Sequence, residues 1–272
     1  MTNTYTLAKI EHAVELGTTL SRSWFRGNSK IYGELTPRIF RQTYENDFYK
    51  AFRHEAEFSI IENFKRMAPA LKSKLPEIED HISWLYLMQH YGTPTRLLDW
   101  TKSVLVGLYF AVSHHHSEDG ELWALYPQAL NEHNGNFGLP IPRCKILRYL
   151  AAELNHNNPQ KLAEEIGLNK IPQYPYAVDP PLYFPRMVAQ MSAFTIHPRP
   201  KPSQTIPDIL TEETKLVRYI IPAKCKKKFF SDLSALGITR MTLFQDLDSL
   251  SHDIIQEHNI LAYGPPKPPR WE

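Results

Sequence analysis

From residue 89 to residue 101 the chain reads Gln-His-Tyr-Gly-Thr-Pro-Thr-Arg-Leu-Leu-Asp-Trp-Thr, a run dense in donors, acceptors and rings. Gly92 and Pro94 favour a turn, so the groups around them are held by a bend. Gln89, His90, Thr95 and Thr101 offer hydrogen bonds, and Tyr91 and Trp100 offer faces on which a planar ring can stack. Arg96 and Asp99 supply opposite charges, and two readings of them stand side by side. They bind polar groups of a ligand, or they pair with each other in a buried network that orients the turn. His90 with Asp99 would also suit a metal-free general acid–base pair of a hydrolase or nuclease.

A second cluster is Phe25-Arg26-Gly27. A guanidinium binds a phosphate bidentately and keeps its charge, while a glycine beside it lets the backbone approach a ligand closely. Glu57 shares a helical face with Ile60, Ile61 and Phe64 and therefore calls for a cation, which Arg26 or Arg96 could supply. Gln190, in RMVAQMSAFTI, offers an uncharged hydrogen-bonding group to a ligand or to a strand edge. Asp246 and Asp248 suit the start of a helix. His114, His115 and His116 are consecutive and cannot all face one ion from a helix, so they read as a solvated helix end. The basic run 224–228 reads as a solvated face that could also meet phosphates. Cys144 and Cys225 lack zinc-site spacing, and no metal is expected.

These residues need elements to hold them. Helices are expected over 7–17, 45–67, 78–91, 103–113, 223–236 and 246–258. The 45–67 helix rests on Phe48, Phe52, Ala56, Ile60 and Phe64 recurring every four residues. Thr101 is the expected N-cap of the 103–113 helix. Strands are expected over 21–26, 120–126, 186–197 and 215–222. Elements of both kinds mix without a βαβ rhythm, which points to an α+β fold: a mixed or antiparallel sheet with flanking helices. The Asn-, Pro- and Gln-rich stretch 127–185, with one helical piece near 146–166, reads as an insertion or lid within a single domain spanning 1–272. The tail GPPKPPRWE reads as extended.

With 272 residues, 42% hydrophobic and 22% charged, the composition is that of a folded domain. A net charge of +2 does not by itself require a nucleic-acid partner. No window approaches the ~20 apolar residues of a membrane span, and the first residues lack a signal-peptide pattern. A cytoplasmic protein without a membrane partner is therefore expected.

Two blocks, WFRG at 24–27 and LMQHYGTPTRLLDWTKSVLVGLYFAV at 87–112, resemble the FRG domain family nearly residue for residue. LTPRIFR at 35–41, PRMVAQMSAFTIHP at 185–198 and GITRMTLFQDLDSLSHDI at 237–254 extend the likeness. The resemblance implies a module of bacterial genomes and mobile elements with toxin or phage-defence associations. A weaker resemblance is to the mono-ADP-ribosyltransferases: Arg26-Gly27 ending a strand, then TRLLDWT, then a helix closing on Phe-Ala. A late ExE or QxE glutamate is not plainly present; Glu55-Ala56-Glu57 has the letters but precedes the central block. This second likeness implies a sheet core of that type and NAD as substrate, with no metal. Arg26 would hold the pyrophosphate, an aromatic of the 91–100 block would clamp nicotinamide, and Gln190 or a nearby carboxylate would orient the ribose. The catalytic set is then Arg26, Arg96, Asp99 and Gln190. The NAD-binding set is Phe25, Gly27, Gln89, His90, Tyr91, Gly92, Thr95, Trp100 and Thr101. The implied partners are an acceptor macromolecule, nucleic acid (RNA or DNA) or protein, and an antitoxin or regulatory protein. The alternative is a non-catalytic nucleotide- or partner-binding module of a defence system.

Overall fold

The computed structural model describes residues 3–41, 53–135, 138–139, 144–153, 158–199 and 205–258. The expected helix residues 45–52 and the proline-rich tail lie outside the described residues. The chain opens with β1 (Thr4–Thr6), α1 (Ile10–Thr19), β2 (Trp24–Asn28), α2 (Arg38–Arg41) and α3 (Arg53–Met67). It continues through α4 (His81–His90), β3 (Leu97–Thr101), α5 (Val104–Val112), β4 (Gly120–Leu125) and α6 (Pro127–His133). Then follow α7 (Lys145–Ala152), α8 (Pro159–Ile166), β5 (Tyr176–Val178), α9 (Pro185–Ala189) and β6 (Ser192–Ile196). The last elements are α10 (Ile206–Ile209), β7 (Leu216–Ile221), α11 (Ala223–Ala235), α12 (Arg240–Phe244) and α13 (Leu247–Glu257).

The fold is α+β, and its strands form one sheet in the order β1-β7-β4-β2-β3-β6-β5. Every pair is antiparallel except β1 with β7. Its continuity is uneven. β2 pairs with β4 over five residues and β3 with β6 over five, but β2 meets β3 only at Phe25 opposite Thr101. Four strands and three strands are thus hinged at one bridge, and beyond it β2 and β3 part.

Side-chain alternation sorts the strands onto two faces. Phe25, Leu122, Ala124 and Val217 pack with Leu108 and Ala111 of α5 and Phe229 and Leu233 of α11. Trp24, Trp123, Leu125, Leu98 and Trp100 pack on the other face, with Ala129 and Leu130 of α6. Gly27 lets α5 lie close: a Cβ there would stand 1.9 Å from the Gly107 carbonyl oxygen. A Cβ on Gly107 would in turn reach Phe25 Cβ at 2.9 Å. The glycine of the Arg-Gly pair is therefore required by helix–strand packing, where the sequence suggested approach to a ligand.

Several expected boundaries move. Residues 186–197 are a short helix followed by a strand, because Pro185 opens α9 and Met191, at φ 46°, turns the chain into β6. Ser103 caps α5, its hydroxyl accepting from Val106 N, while the Thr101 hydroxyl donates to the Gln190 carbonyl at 2.7 Å. The stretch 127–185 supplies α6, α7, α8 and the edge strand β5. Leu147, Tyr149 and Leu150 of α7 and Tyr176 and Val178 of β5 are core residues packed with Leu85, Tyr86 and Met88 of α4. It is built into the body of the protein. Lys226 of the basic run is fully buried, its Nζ donating to the carbonyls of Ser29, His114 and His115. Asp246 caps α13, accepting from Ser249 N at 2.7 Å, and the histidine tract is exposed.

At the start of β3, Arg96 is fully buried. Its Nε and Nη2 donate to the two carboxylate oxygens of Glu57 on α3 at 2.9 and 3.1 Å. Its Nη1 donates to Glu153 Oε1 at 2.5 Å and to the Leu150 carbonyl at 2.9 Å, both at the end of α7. Burial alone would lower its pKa, but Glu57 and Glu153 outweigh that and the net shift is upward. Arg96→Leu leaves two carboxylates buried without a cation. We expect it to lose about 3–5 kcal/mol of stability, read as the shift of the urea midpoint against wild type. A loss under about 1 kcal/mol would mean that the triad does not hold these elements together.

Nearby, Trp100 Nε1 donates to Thr195 Oγ1 at 3.1 Å, and that hydroxyl lies 2.9 Å from Nε2 of buried His197. Burial, then Arg96 and Arg26, push the His197 pKa down to about 3. The folded value is below the ordinary value of 6.5, so the unfolded chain binds the proton first. This contribution is complete above pH 6.5 and declines as pH falls towards 3. Between pH 7 and pH 5 it should remove about 2 kcal/mol. Denaturation at both pH values should show His197→Asn losing that much less than wild type; equal losses would disprove the assignment.

Candidate functional site

A cleft of about 350 Å³ opens in the fork where β2 and β3 part. Its walls are residues 25–27 of β2, residues 97–101 of β3, Gln89, Gly92 and Thr93 from the end of α4 and the following turn, and Gln190 and Ser192 beside Met191. The positive φ of Met191 is a conformation that a side chain disfavours, of the sort found where a site fixes the backbone. Four guanidinium-bearing residues line the cleft: Arg26, Arg38, Arg41 and Arg186. Asp99 is the one carboxylate among the lining residues.

Arg26 occupies the centre. Its Nη1 donates to the Asp99 backbone carbonyl at 2.8 Å, and its Nε is buried without a hydrogen-bond partner. No carboxylate lies within ion-pair distance of it among the described residues. Burial lowers its pKa, Asp99 opposes that shift from a distance, and Arg41 adds to it. A desolvated guanidinium facing neutral groups and further arginines favours an anion in the cleft. Arg186 is likewise lowered by burial and lifted by Asp99; its guanidinium lies 4.3 Å from the Phe244 ring centroid. Arg38 reaches across to the Gly92 carbonyl at 3.1 Å, and Arg41 stands over the Tyr32 ring.

Asp99 is exposed and oriented from one side. Gln89 Nε2 donates to its Oδ2 at 2.7 Å, and Thr95 Oγ1 donates to Gln89 Oε1 at 2.6 Å. Thr95 Oγ1 in turn accepts from Leu97 N at 3.1 Å, so a short chain of bonds fixes the carboxylate on the turn that carries it. Asp99 does not pair with Arg96, as one sequence reading had it; Arg96 is committed to Glu57 and Glu153, outside the cleft.

The other sequence candidates divide. Phe25, Gly27, Gln89, Gly92, Asp99, Trp100, Thr101 and Gln190 line the cleft with Arg26. The Phe25 and Trp100 rings, however, belong to the core on opposite faces of the sheet, and Trp100 cannot clamp a ligand ring. Gln190 Nε2 donates to the Leu243 carbonyl at 3.1 Å, which ties α9 to α12. His90 stacks on Phe184 with centroids 4.1 Å apart, and burial, then Arg186 and Lys72, lower its pKa. It is not among the residues that line the cleft with Asp99. Tyr91, 57% exposed, borders a separate apolar groove between α3 and α4. Arg38, Arg41 and Arg186 were not singled out from the sequence; their signal lay in the LTPRIFR and PRMVAQ segments. Among the described residues no group of three His, Cys, Asp or Glu side chains could hold a metal ion. None of their helices is long and apolar enough to cross a membrane.

Residues 21–120, which carry Arg26, Arg38, Arg41 and the Gln89–Asp99 chain, match the family model of the FRG domain. No curated protein and no solved structure matches the chain.

Proposed function

We propose, from the premise that residues 21–120 are an FRG domain, that the arginine-lined cleft binds the pyrophosphate of NAD and that the protein transfers ADP-ribose to a macromolecule. The observation that carries this reading is Arg26: a partly buried cation whose Nε is buried and unpartnered and which has no ion pair among the described residues, in a cleft with three more arginines. A diphosphate supplies the anionic oxygens that such a set lacks. The order expected of a transferase supports the reading: Arg26-Gly27 on β2, a threonine-bearing β3 paired to it, and α5 closing on Phe110-Ala111. A sheet core of the ADP-ribosyltransferase type is part of the proposal.

The charged role passes to Asp99, since Gln190 is neutral and its amide is held by Leu243. In the reaction the bond between the nicotinamide nitrogen and C1′ of the ribose breaks, and nicotinamide leaves with the electron pair. Asp99 accepts hydrogen bonds from ribose hydroxyls and stabilises the positive charge that develops at C1′. The acceptor's nucleophile then bonds to C1′ and releases its proton to the carboxylate or to water. Gln89 keeps Asp99 aimed, and no metal takes part. The acceptor is a nucleic acid or a protein. A toxin or antiphage effector in the cytoplasm, restrained by an antitoxin or regulatory partner, is the setting that fits such chemistry. The second reading, a non-catalytic nucleotide-binding module, draws on the scarcity of carboxylates in the cleft, where Asp99 stands alone.

Nicotinamide release from labelled NAD, measured with purified protein and cell lysate, separates the two. We expect release with label passing to a nuclease- or protease-sensitive species. Arg26→Ala and Asp99→Asn should each lower the rate by about 10²–10³-fold. Full activity in both variants would place the chemistry elsewhere. Absence of release, with NAD still raising the melting temperature, would establish the binding module instead.

A further inference from the structure

The loop Asn28–Gly33 joins the strand of Arg26 to the segment of Arg38 and Arg41, and it is anchored from several directions. Glu121 on β4 is fully buried, and its carboxylate meets Arg218 Nη1 only at the long ion-pair distance of 3.9 Å. It also accepts from Asn28 Nδ2 at 3.0 Å and from the backbone N–H groups of Tyr32 and Gly33 at 3.1 and 3.4 Å. Buried Lys226 donates to the Ser29 carbonyl at 2.6 Å, and Lys30 pairs with Glu118 at 2.8 Å. Gly33 takes φ 69°, which a glycine adopts without strain. A buried carboxylate and a buried ammonium are thus both committed to the backbone of six residues.

What that anchoring presents is an aromatic ring. Tyr32 is 50% exposed, although its backbone is fixed. The Arg41 guanidinium lies 5.9 Å from its ring centroid, and Arg41 lines the cleft together with Arg26. An exposed ring on a rigid loop, beside arginines that line an anion cleft, has the features of a stacking platform. It loses little conformational freedom on binding, and every base has a π-face to offer.

We propose that Tyr32 is the ring on which the heteroaromatic base of a nucleotide stacks when its phosphates occupy the arginine cleft, with Glu121 as the positioning residue of that platform. The inference rests on the nucleotide reading of the cleft and replaces the ring sought in the 91–100 block.

The test compares two probes on the full chain by calorimetry: ADP, which carries a base, and inorganic pyrophosphate, which does not. We expect Tyr32→Ala to weaken ADP about tenfold and to leave pyrophosphate within twofold of wild type. Tyr32→Phe and Tyr32→Trp should retain ADP affinity, whereas Tyr32→Leu should not. Glu121→Gln should move ADP in the same direction as Tyr32→Ala, and circular dichroism checks that it folds. Pyrophosphate bound by wild type, with ADP unaffected by Tyr32→Ala, overturns the platform and leaves the anion cleft standing. Equal weakening of both probes also overturns it, since the ring would then act on the phosphates. If wild type binds neither probe, the cleft reading and the platform fall together.

Discussion

A fully buried arginine between two glutamates holds the centre of this protein. Arg96 joins α3 through Glu57, α7 through Glu153 and Leu150, and β3 through its own backbone. Three elements distant in sequence meet at one guanidinium, and each of its nitrogens has a partner there. Two carboxylates against one cation would leave excess negative charge in the core, but Glu153 also accepts from Arg199 N at 3.2 Å. The turn between α4 and β3 ends at this anchor. Gln89, Thr95 and Asp99 take their places from it, so the oriented carboxylate of the cleft depends on a network that contributes nothing to the cleft wall.

Arg26 shows the opposite electrostatics. Arg96 is fully buried and Arg26 partly so; two glutamates raise the pKa of Arg96, whereas burial lowers that of Arg26. The difference comes from the backbone geometry around them. Gly27 and Gly107 draw β2 against α5, and β2 keeps its full pairing with β4. β2 touches β3 at one residue pair only, so the sheet forks, and Arg26 lies in the fork with a carbonyl oxygen as its one hydrogen-bond partner among the described residues. Closing the fork by regular pairing would remove the cleft.

Much of the fold was legible in the sequence because its main helices and strands have clear periods. The α+β class, the helices after residues 53, 81, 104 and 223, and the strands near 24, 120 and 216 follow from local pattern. Three-residue β1 and β5 carry too few positions for a period, and β5 belongs to a stretch that reads as irregular because prolines and asparagines surround it. The site was half legible. Density of polar chemistry marked 89–101 and Arg26, and the transferase likeness implied a strand within TRLLDWT, but reading the residues of that strand as one polar block leaves out their alternation. With period two, Leu98 and Trp100 face away from Asp99 and into the core. That alternation was the available signal that the Trp100 ring could not serve a ligand. Arg38 and Arg41 come from one short segment and Arg186 from another, and spacing gives no reason for the two to converge on Arg26; the sheet's fork brings them together.

The charges of the molecule are arranged unevenly, and this separates a site from a scaffold. Buried carboxylates Glu57 and Glu153 are directed at Arg96, and Glu121 at the loop after β2. Buried Lys226 is directed at backbone carbonyls on the other side of that loop. Each of these groups is satisfied within the fold, as a structural role demands. In the cleft the pattern reverses: among the described residues four arginines line it with one aspartate, and Arg26 leaves a buried donor unmatched. Three carboxylates, Glu57, Glu121 and Glu153, are buried among the described residues, and none of them pairs with Arg26. Leaving that cation unsatisfied costs stability, and the offset is greatest when an anionic ligand arrives with its own oxygens.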